Sequence, residues 1–279
     1  MGPTPNYFFG YRPIETMQEY CLNSREDRMN LRPSPVAPFS YVPGIDPYSG
    51  GVVAAPGSEI VHVTLHQALP WRDGFERISQ ITGEDGVERS ALCAVELRCP
   101  RPHSFEGFIQ FNDEYRDLLE AWDLLDGEDN PIARTNVAPV HYPPKETSLR
   151  GFSYVKTAVE DEARSFVVAG AGDLIDQSEL HPDSIVAKDL DGKEAWRLRI
   201  EQVCQEMETR MAAIGVDWRD CSMINVYCSD DWFNQAGQTL IDRVGPAIAA
   251  GFHWYVARPP IEGLRFEMDV RGVNTEKAF

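Results

Sequence analysis

Residues 223–233 read MINVYCSDDWF, and in this run an extended segment gives way to a helix. Met223 to Cys228 is a short, nearly continuous apolar stretch of strand type. Ser229 is placed to cap the helix that follows, with Asp230 and Asp231 in its first turn, where carboxylates suit the positive end of the helix dipole. That helix is predicted to bury Phe233, Leu240, Ile241 and Val244, and Pro246 interrupts it.

The flanks extend the pattern. Upstream, a long helix is predicted over about 191–214, with Trp196, Ile200, Val203, Met207, Met211 and Ile214 on one stripe and Gly215 as its stop. Before it, Phe152 to Thr157 and Ser165 to Gly170 read as paired strands, followed by the irregular run AGDLIDQSELHPDSIV. Downstream come strands at Phe252 to Ala257 and Leu264 to Val273. In the last of these Phe266, Met268 and Val270 alternate with Glu267, Asp269 and Arg271.

The first half has the same order. A strand at 59–68 precedes a helix at Trp71 to Ile81 that buries Phe75, Ile78 and Ile81. A strand at Ala91 to Leu97 ends before Pro100 and Pro102. Ser104 then opens FEGFIQFNDEYRDLLEAWDLL, whose apolar positions recur at three and four. The acidic loop DGEDNP (126–131) closes that helix, and a strand at Ala133 to Val140 ends before Pro143 and Pro144. The predicted class is α+β, with each half a mixed sheet packed on two helices. The free face of each sheet then needs cover from the other half or from another subunit. The expected units are an N-terminal arm (1–57), a first domain (58–145) and a second domain (146–279). The arm is rich in aromatic residues and Pro, unlike a disordered tail, and carries a short helix near Glu15 to Asn23.

Composition narrows the function. The chain has 279 residues, 44 Asp plus Glu against 26 Lys plus Arg, and a formal charge of −18. Such a surface repels phosphate backbones, so nucleic acid is not an expected partner, although a small Arg-lined pocket for an anion fits within an acidic shell. No run is long and apolar enough for a membrane span. The N-terminus lacks a secretory pattern and the six cysteines form no CxxC pair, so a cytoplasmic, reduced protein is expected.

The second half resembles the RidA/YjgF family of small trimeric imine and enamine deaminases. The resemblance is carried by GFSY (151–154), FVVAG (166–170), MAAIG (211–215), INVYCSDDWF (224–233) and ARPPIEGLRFEMDV (257–270). ALCAVELRCP, FEGFIQFNDEY and ARTNVAPV make the first half a more distant, degenerate copy. The resemblance implies two units of this fold, a homo-oligomer with a trimer favoured, and a ligand site where two units meet. It further implies an Arg early in the fourth strand that grips a substrate carboxylate, matched by Arg134. A Glu in the last strand that moves a proton or orients water is matched by Glu267. The same positions in the opposite halves are Gly251 and a point near Leu149 or Arg150, so the pair is split between halves. An Asn on the second helix matches Asn112, and backbone groups after the second strand match Gly170 and Ala171. The pocket implied joins Arg134 and Asn112 to Gly170, Ala171 and Tyr154. Chorismatases, which hydrolyse an enol ether, share the two-unit layout and aromatic arm through YVPGIDPYSGG (41–51) and AGAGDLIDQSELHP (169–182).

Several residue types support this chemistry in their own right. Arg134 offers a planar fork to a carboxylate, with Asn136 two residues on along the same strand; the alternative is a rim pair with Glu128 or Asp129. Glu267 alternates with apolar neighbours and suits acid–base work if it enters a dry pocket; otherwise it is a solvent-facing carboxylate, with Asp269 its competitor. His253 and His141 are further candidates for the base, and Trp254 for stacking on a flat substrate. Cys228, at a strand end, is either a nucleophile or a buried thiol. His62 and His66 share a strand face about 13 Å apart, too far for one metal. No metal motif and no nucleotide-cofactor motif is present, since GAG (170–172) lacks the spacing of a phosphate loop. The expected activity is hydrolytic deamination of a small unsaturated, aminomuconate-like carboxylic acid without a cofactor. The alternatives are a chorismatase-like hydrolase or a non-catalytic binding protein.

Overall fold

The computed structural model describes residues 30–158 and 164–279, so the helix expected near Glu15 to Asn23 lies outside the described residues. The arm contributes β1 (Arg32–Pro33), β2 (Phe39–Val42) and β3 (Gly51–Ala54). Next come β4 (Ser58–Pro70), α1 (Trp71–Glu84), β5 (Leu92–Arg98), α2 (Phe105–Ala121), β6 (Ala133–Pro139) and β7 (Ser148–Thr157). The remainder is β8 (Phe166–Gly172), α3 (Lys193–Ala213), β9 (Met223–Tyr227), α4 (Trp232–Val244), β10 (His253–Tyr255), β11 (Ala257–Arg258), β12 (Glu267–Gly272) and β13 (Thr275–Ala278). These elements form an α+β structure with two mixed sheets. One runs β11-β6-β5-β7-β4-β13 and the other β1-β2-β3-β8-β12-β9-β10.

The helices sit where the apolar stripes require. Ile78 and Ile81 of α1 and Phe111, Tyr115 and Leu119 of α2 pack with Val95, Leu97 and Phe152. Trp196, Ile200, Val203, Met207 and Met211 of α3 pack with Val226, Phe266, Met268 and Val270. Ser104 caps α2 by accepting the Gly107 N–H at 3.0 Å. Ser229 does not cap α4. Its N-cap is Asp231, and the later start puts Trp232 rather than Phe233 in the core.

One expectation about pairing is corrected. Phe152–Thr157 does not pair with Ser165–Gly170: β7 lies antiparallel between β4 and β5, while β8 lies between β3 and β12. Alternation shows that a strand is half or fully buried, but it does not name the neighbour. Sheet membership also crosses the expected limits 1–57, 58–145 and 146–279. Arm strands β1 to β3 extend the second sheet, β7 belongs to the first, and C-terminal β13 runs parallel to β4 in the first.

The faces turned away from the helices meet each other and are polar. His62, Glu96 and Thr135 of the first sheet and Asp269 and Arg271 of the second line one small internal space. Arg271 Nη1 lies 3.5 Å from Glu96 Oε1. The alternation of Glu267, Asp269 and Arg271 with apolar residues thus records a face that meets another sheet rather than water.

Candidate active site

Strand β6 carries Arg134 and Asn136, and both are buried. The Arg134 side chain is enclosed by aromatic rings, its guanidinium carbon 4.9 Å from the Tyr48 ring centre, 5.4 Å from Phe111 and 4.7 Å from Tyr115. Such faces favour a planar cation. Nη2 donates to Asn112 Oδ1 at 2.7 Å. Nη1 has no hydrogen-bond partner, nor does either polar atom of the Asn136 amide. Buried polar groups left unmet are costly, so this corner has hydrogen-bonding capacity to offer a ligand. The rim pair with Glu128 or Asp129 is not formed. Asp129 pairs with Arg32 instead.

Glu267 opens β12 and reaches the same cavity from the second sheet, only 3% exposed. Burial raises its carboxyl well above the ordinary range and Asp269 adds to this, against the pull of Arg98 and Arg134. Burial thus favours the neutral form of this carboxyl. Asp269, two residues on, is fixed by Asn225 Nδ2 and the Tyr227 hydroxyl, each at 2.8 Å. Gly170 of β8 makes Glu267's position possible, because a Cβ there would run into Glu267 Oε1 and crowd Thr135. Arg210 of α3 anchors that backbone by donating to the carbonyls of Ala169 and Gly170 at 3.1 and 3.3 Å.

One narrow cavity of about 20 Å³ joins these groups. Arg134, Asn136, Tyr48, Gly170 and Glu267 share it with an apolar wall that includes Phe108, Ile261 and Leu264. Tyr48 is the contribution that sequence reasoning missed. Its turn is held by mutual backbone hydrogen bonds with Ile45 at 3.0 and 3.2 Å, and Asn130 Nδ2 donates to the Pro47 carbonyl at 2.8 Å. The signal available was the turn-rich GIDPYSGG string (44–51) inside an aromatic arm.

The other expected site residues stand elsewhere. Asn112 touches the site through Arg134. Tyr154 is packed in the first core with its hydroxyl donating to Asp85 at 2.6 Å. Ala171 is packed in the second core. His141 is exposed beyond β6, and His253 is exposed on β10 beside Tyr255. Trp254, 41% exposed, donates its indole N–H to the Cys228 carbonyl. His253 and Trp254 lie on β10, the last strand of its sheet, and are exposed on both of its faces, which sequence alternation does not reveal. Cys228 is buried and its thiol is pushed up to about 12, chiefly by burial, so it is no nucleophile.

A second set missed by sequence reading lies between the sheets. Burial holds the His62 imidazole down to about 4 despite nearby Glu96. Its Nδ1 is 3.0 Å from Ser153 Oγ. Glu96 is held down to about 2: burial opposes this, but His62, Arg98 and Arg271 together outweigh it. Among the described residues no group of three or more His, Cys, Asp or Glu side chains is arranged to hold a metal ion. No described helix is long and apolar enough to cross a membrane.

Comparison with known proteins places the chain in a family. The family model for CnbZ, 2-aminomuconate deaminase, matches residues 32–277. A 2-amino-5-chloromuconate deaminase from Comamonas testosteroni is 36% identical over 239 residues, covering 85% of this chain and 94% of that protein. Among solved structures, a chorismatase aligns over 84% of this chain and 81% of its own at 11% identity and a TM-score of 0.41. The YjgF gene product from E. coli aligns over 39% of this chain and 80% of its own at 12% identity and a TM-score of 0.25. The family match runs from the arm through both sheets to β13, taking in Tyr48, Arg134 and Glu267 alike, and the chain belongs to the CnbZ family of 2-aminomuconate deaminases.

Proposed function

We propose that this protein hydrolytically deaminates 2-aminomuconate or a close derivative in the cavity between its sheets. The observation that carries the reading is the meeting, in one cavity, of a buried guanidinium that has an unmet donor and a buried carboxyl whose hold on its proton burial strengthens. Arg134 Nη1 and the Asn136 amide take the carboxylate next to the amino-bearing carbon. The Glu267 carboxyl donates its proton to a carbon of the enamine, which becomes an imine. The resulting carboxylate removes a proton from water as that water adds to the imine carbon. The Glu267 carboxyl then gives that proton to the amino group and takes back the hydroxyl proton, so the C–N bond breaks, ammonia leaves and a C=O bond forms. One water is consumed, one ammonia is released and no electrons are exchanged. Tyr48 closes the cavity over Arg134 and keeps bulk water from the guanidinium.

On this reading the two sheets are two RidA/YjgF-like units. The register supports it: β7 returns between β4 and β5 as β12 returns between β8 and β9. The Cys99 N–H donates to the Val137 carbonyl as the Cys228 N–H donates to that of Tyr255. Counting back from these pairs sets Phe252, one residue from the expected Gly251, opposite Arg134. Ser148, paired with Arg98, stands where Glu267, paired with Tyr227, stands in the other unit. Each unit therefore supplies one half of a single site.

Ammonia release and loss of the conjugated diene absorbance from 2-aminomuconate test the assignment. Glu267→Gln is expected to lower kcat by about 10²–10⁴-fold with KM nearly kept. Arg134→Ala is expected chiefly to raise KM, since its carboxylate contact is made before and during the reaction. Turnover like that of the wild type in both variants, with folding intact, would remove this site.

A further inference from the structure

The inner cavity is smaller than the substrate its lining fits. About 20 Å³ accommodates one water, not a muconate chain. A second cleft of about 480 Å³ lies outside it, lined by the Arg32–Asp129 pair, Asp46 and Asp113 together with Asn112 and Leu180. Two features join these spaces. Leu180 lines both, and Asn112 of the cleft is the acceptor for Arg134 Nη2 of the cavity.

Leu180 belongs to an apolar cluster of its own. It packs with Phe108, Leu174, Ile185, Ile261 and Leu264, apart from the two large cores. A small satellite cluster can part without disturbing either core. The connection from β8 to α3 is pinned at its base and solvent-exposed at its tip, where Asp176, Glu179, His181 and Asp183 face water and the hydrogen bonds run mostly within the turn. At the base, Ile175 N–H donates to Ser184 O at 2.7 Å and Val186 N–H to Asp173 O at 2.9 Å. Asp173 in turn accepts the backbone N–H groups of Arg265 and Phe266 at 3.0 and 3.3 Å. At the tip, Ser178 is tied to Asp176 within the same turn, and Gln177 Nε2 donates to the Gly172 carbonyl at 2.8 Å.

We infer that the outer cleft is the substrate's way in and that Leu180 is the residue that sets which muconate derivatives pass. The inference rests on the Arg134–Glu267 reading and deepens it. Swinging the 176–183 tip about its pinned base withdraws Leu180 from Phe108 and Ile261 and merges the two spaces. A carboxylate then travels past Asn112 to Nη1 of Arg134. Chain substituents of the substrate must clear the space that Leu180 vacates, so its size sets a steric limit.

The test uses the full chain and cis,cis-muconate, a diacid without the amino group and hence without turnover. Its association rate is followed by stopped-flow fluorescence in wild type, Leu180→Ala, Leu180→Trp, Gln177→Ala and Arg134→Ala. Leu180→Ala and Gln177→Ala are expected to raise the association rate roughly tenfold, and Leu180→Trp to lower it by a similar factor. Gln177→Ala frees the tip without altering the apolar plug, so it reads the gate even if a Leu180 variant folds poorly. Rates within twofold of wild type in all folded Leu180 and Gln177 variants, with binding lost in Arg134→Ala, overturn the gate alone. Absence of muconate binding to the wild type, or binding unchanged in Arg134→Ala, overturns the site reading and the gate with it.

Discussion

At the scale of single residues the site depends on burial more than on any unusual side chain. Arg134 and Glu267 are ordinary ions in water. Enclosed, one keeps its charge on aromatic faces while the other is driven to hold its proton. The same enclosure acts on His62, which faces Glu96, Arg98, Arg271 and Glu276. Burial holds its folded value at about 4, below the roughly 6.5 of an unfolded histidine. Between these values the unfolded chain binds the extra proton. The stability this group contributes is therefore complete above the unfolded value and is lost as pH falls toward the folded one. His62→Gln is expected to flatten the fall in Tm between pH 6.5 and 4. Glu96 keeps an acid limb at lower pH in both proteins, because its folded value is depressed. A Tm-against-pH slope unchanged by the substitution would count against neutral burial of His62.

Among the elements, β13 is the one that ties the end of the chain to its beginning. It runs parallel to β4 and is held by a cluster around Asp85, just after α1. Lys277 Nζ lies 2.6 Å from both Asp85 oxygens, and the Tyr154 hydroxyl donates to one of them at 2.6 Å. These hydrogen bonds hold the Asp85 carboxyl down to about 2. With a depressed carboxyl the contribution is present above the unfolded value near 4 and disappears as pH falls toward 2. Asp85→Asn is expected to cost about 1 kcal/mol at neutral pH, since the cluster is partly solvated. It should also speed amide exchange in 275–278 ahead of global unfolding. Hydrogen exchange read by mass spectrometry checks this, and unchanged exchange there would show that strand pairing alone holds β13.

For the whole molecule, the two sheets close one polar interface and leave another surface open. The edge strand β10 and its continuation expose Trp254, Tyr255 and Val256 at 41, 40 and 47%. Adjacent exposed apolar side chains at a sheet edge are the kind of surface that self-association covers. We propose a homo-oligomer that uses this edge, with a trimer favoured. Light scattering of the purified chain is expected to give a multiple of the monomer mass, and Trp254→Lys with Tyr255→Lys to shift it toward the monomer. A monomeric wild type at micromolar concentration would end this part of the proposal.

Local chemistry in the sequence determined the helices and most strands. The stripe from Trp196 to Met211, the Ser104 cap and the alternation through Phe266, Met268 and Val270 depend on neighbours within a turn or two, and each holds in the structure. It also placed Arg134, Asn136, Gly170 and Glu267 on their strands, but it left Arg134 and Glu267 split between halves, and only the folded chain brings them to one cavity. Only the tertiary structure decided which strands are partners, because register is chosen by contacts distant along the chain. That is why β7 joined β4 and β5 and why arm and C-terminal strands extended opposite sheets. The same distance in sequence hid Tyr48 from the site and sent Tyr154 and His253 away from it. Whether a polar side chain meets water, a core or a cavity is settled by what packs above it, and here that cover comes from residues up to a hundred or more positions away.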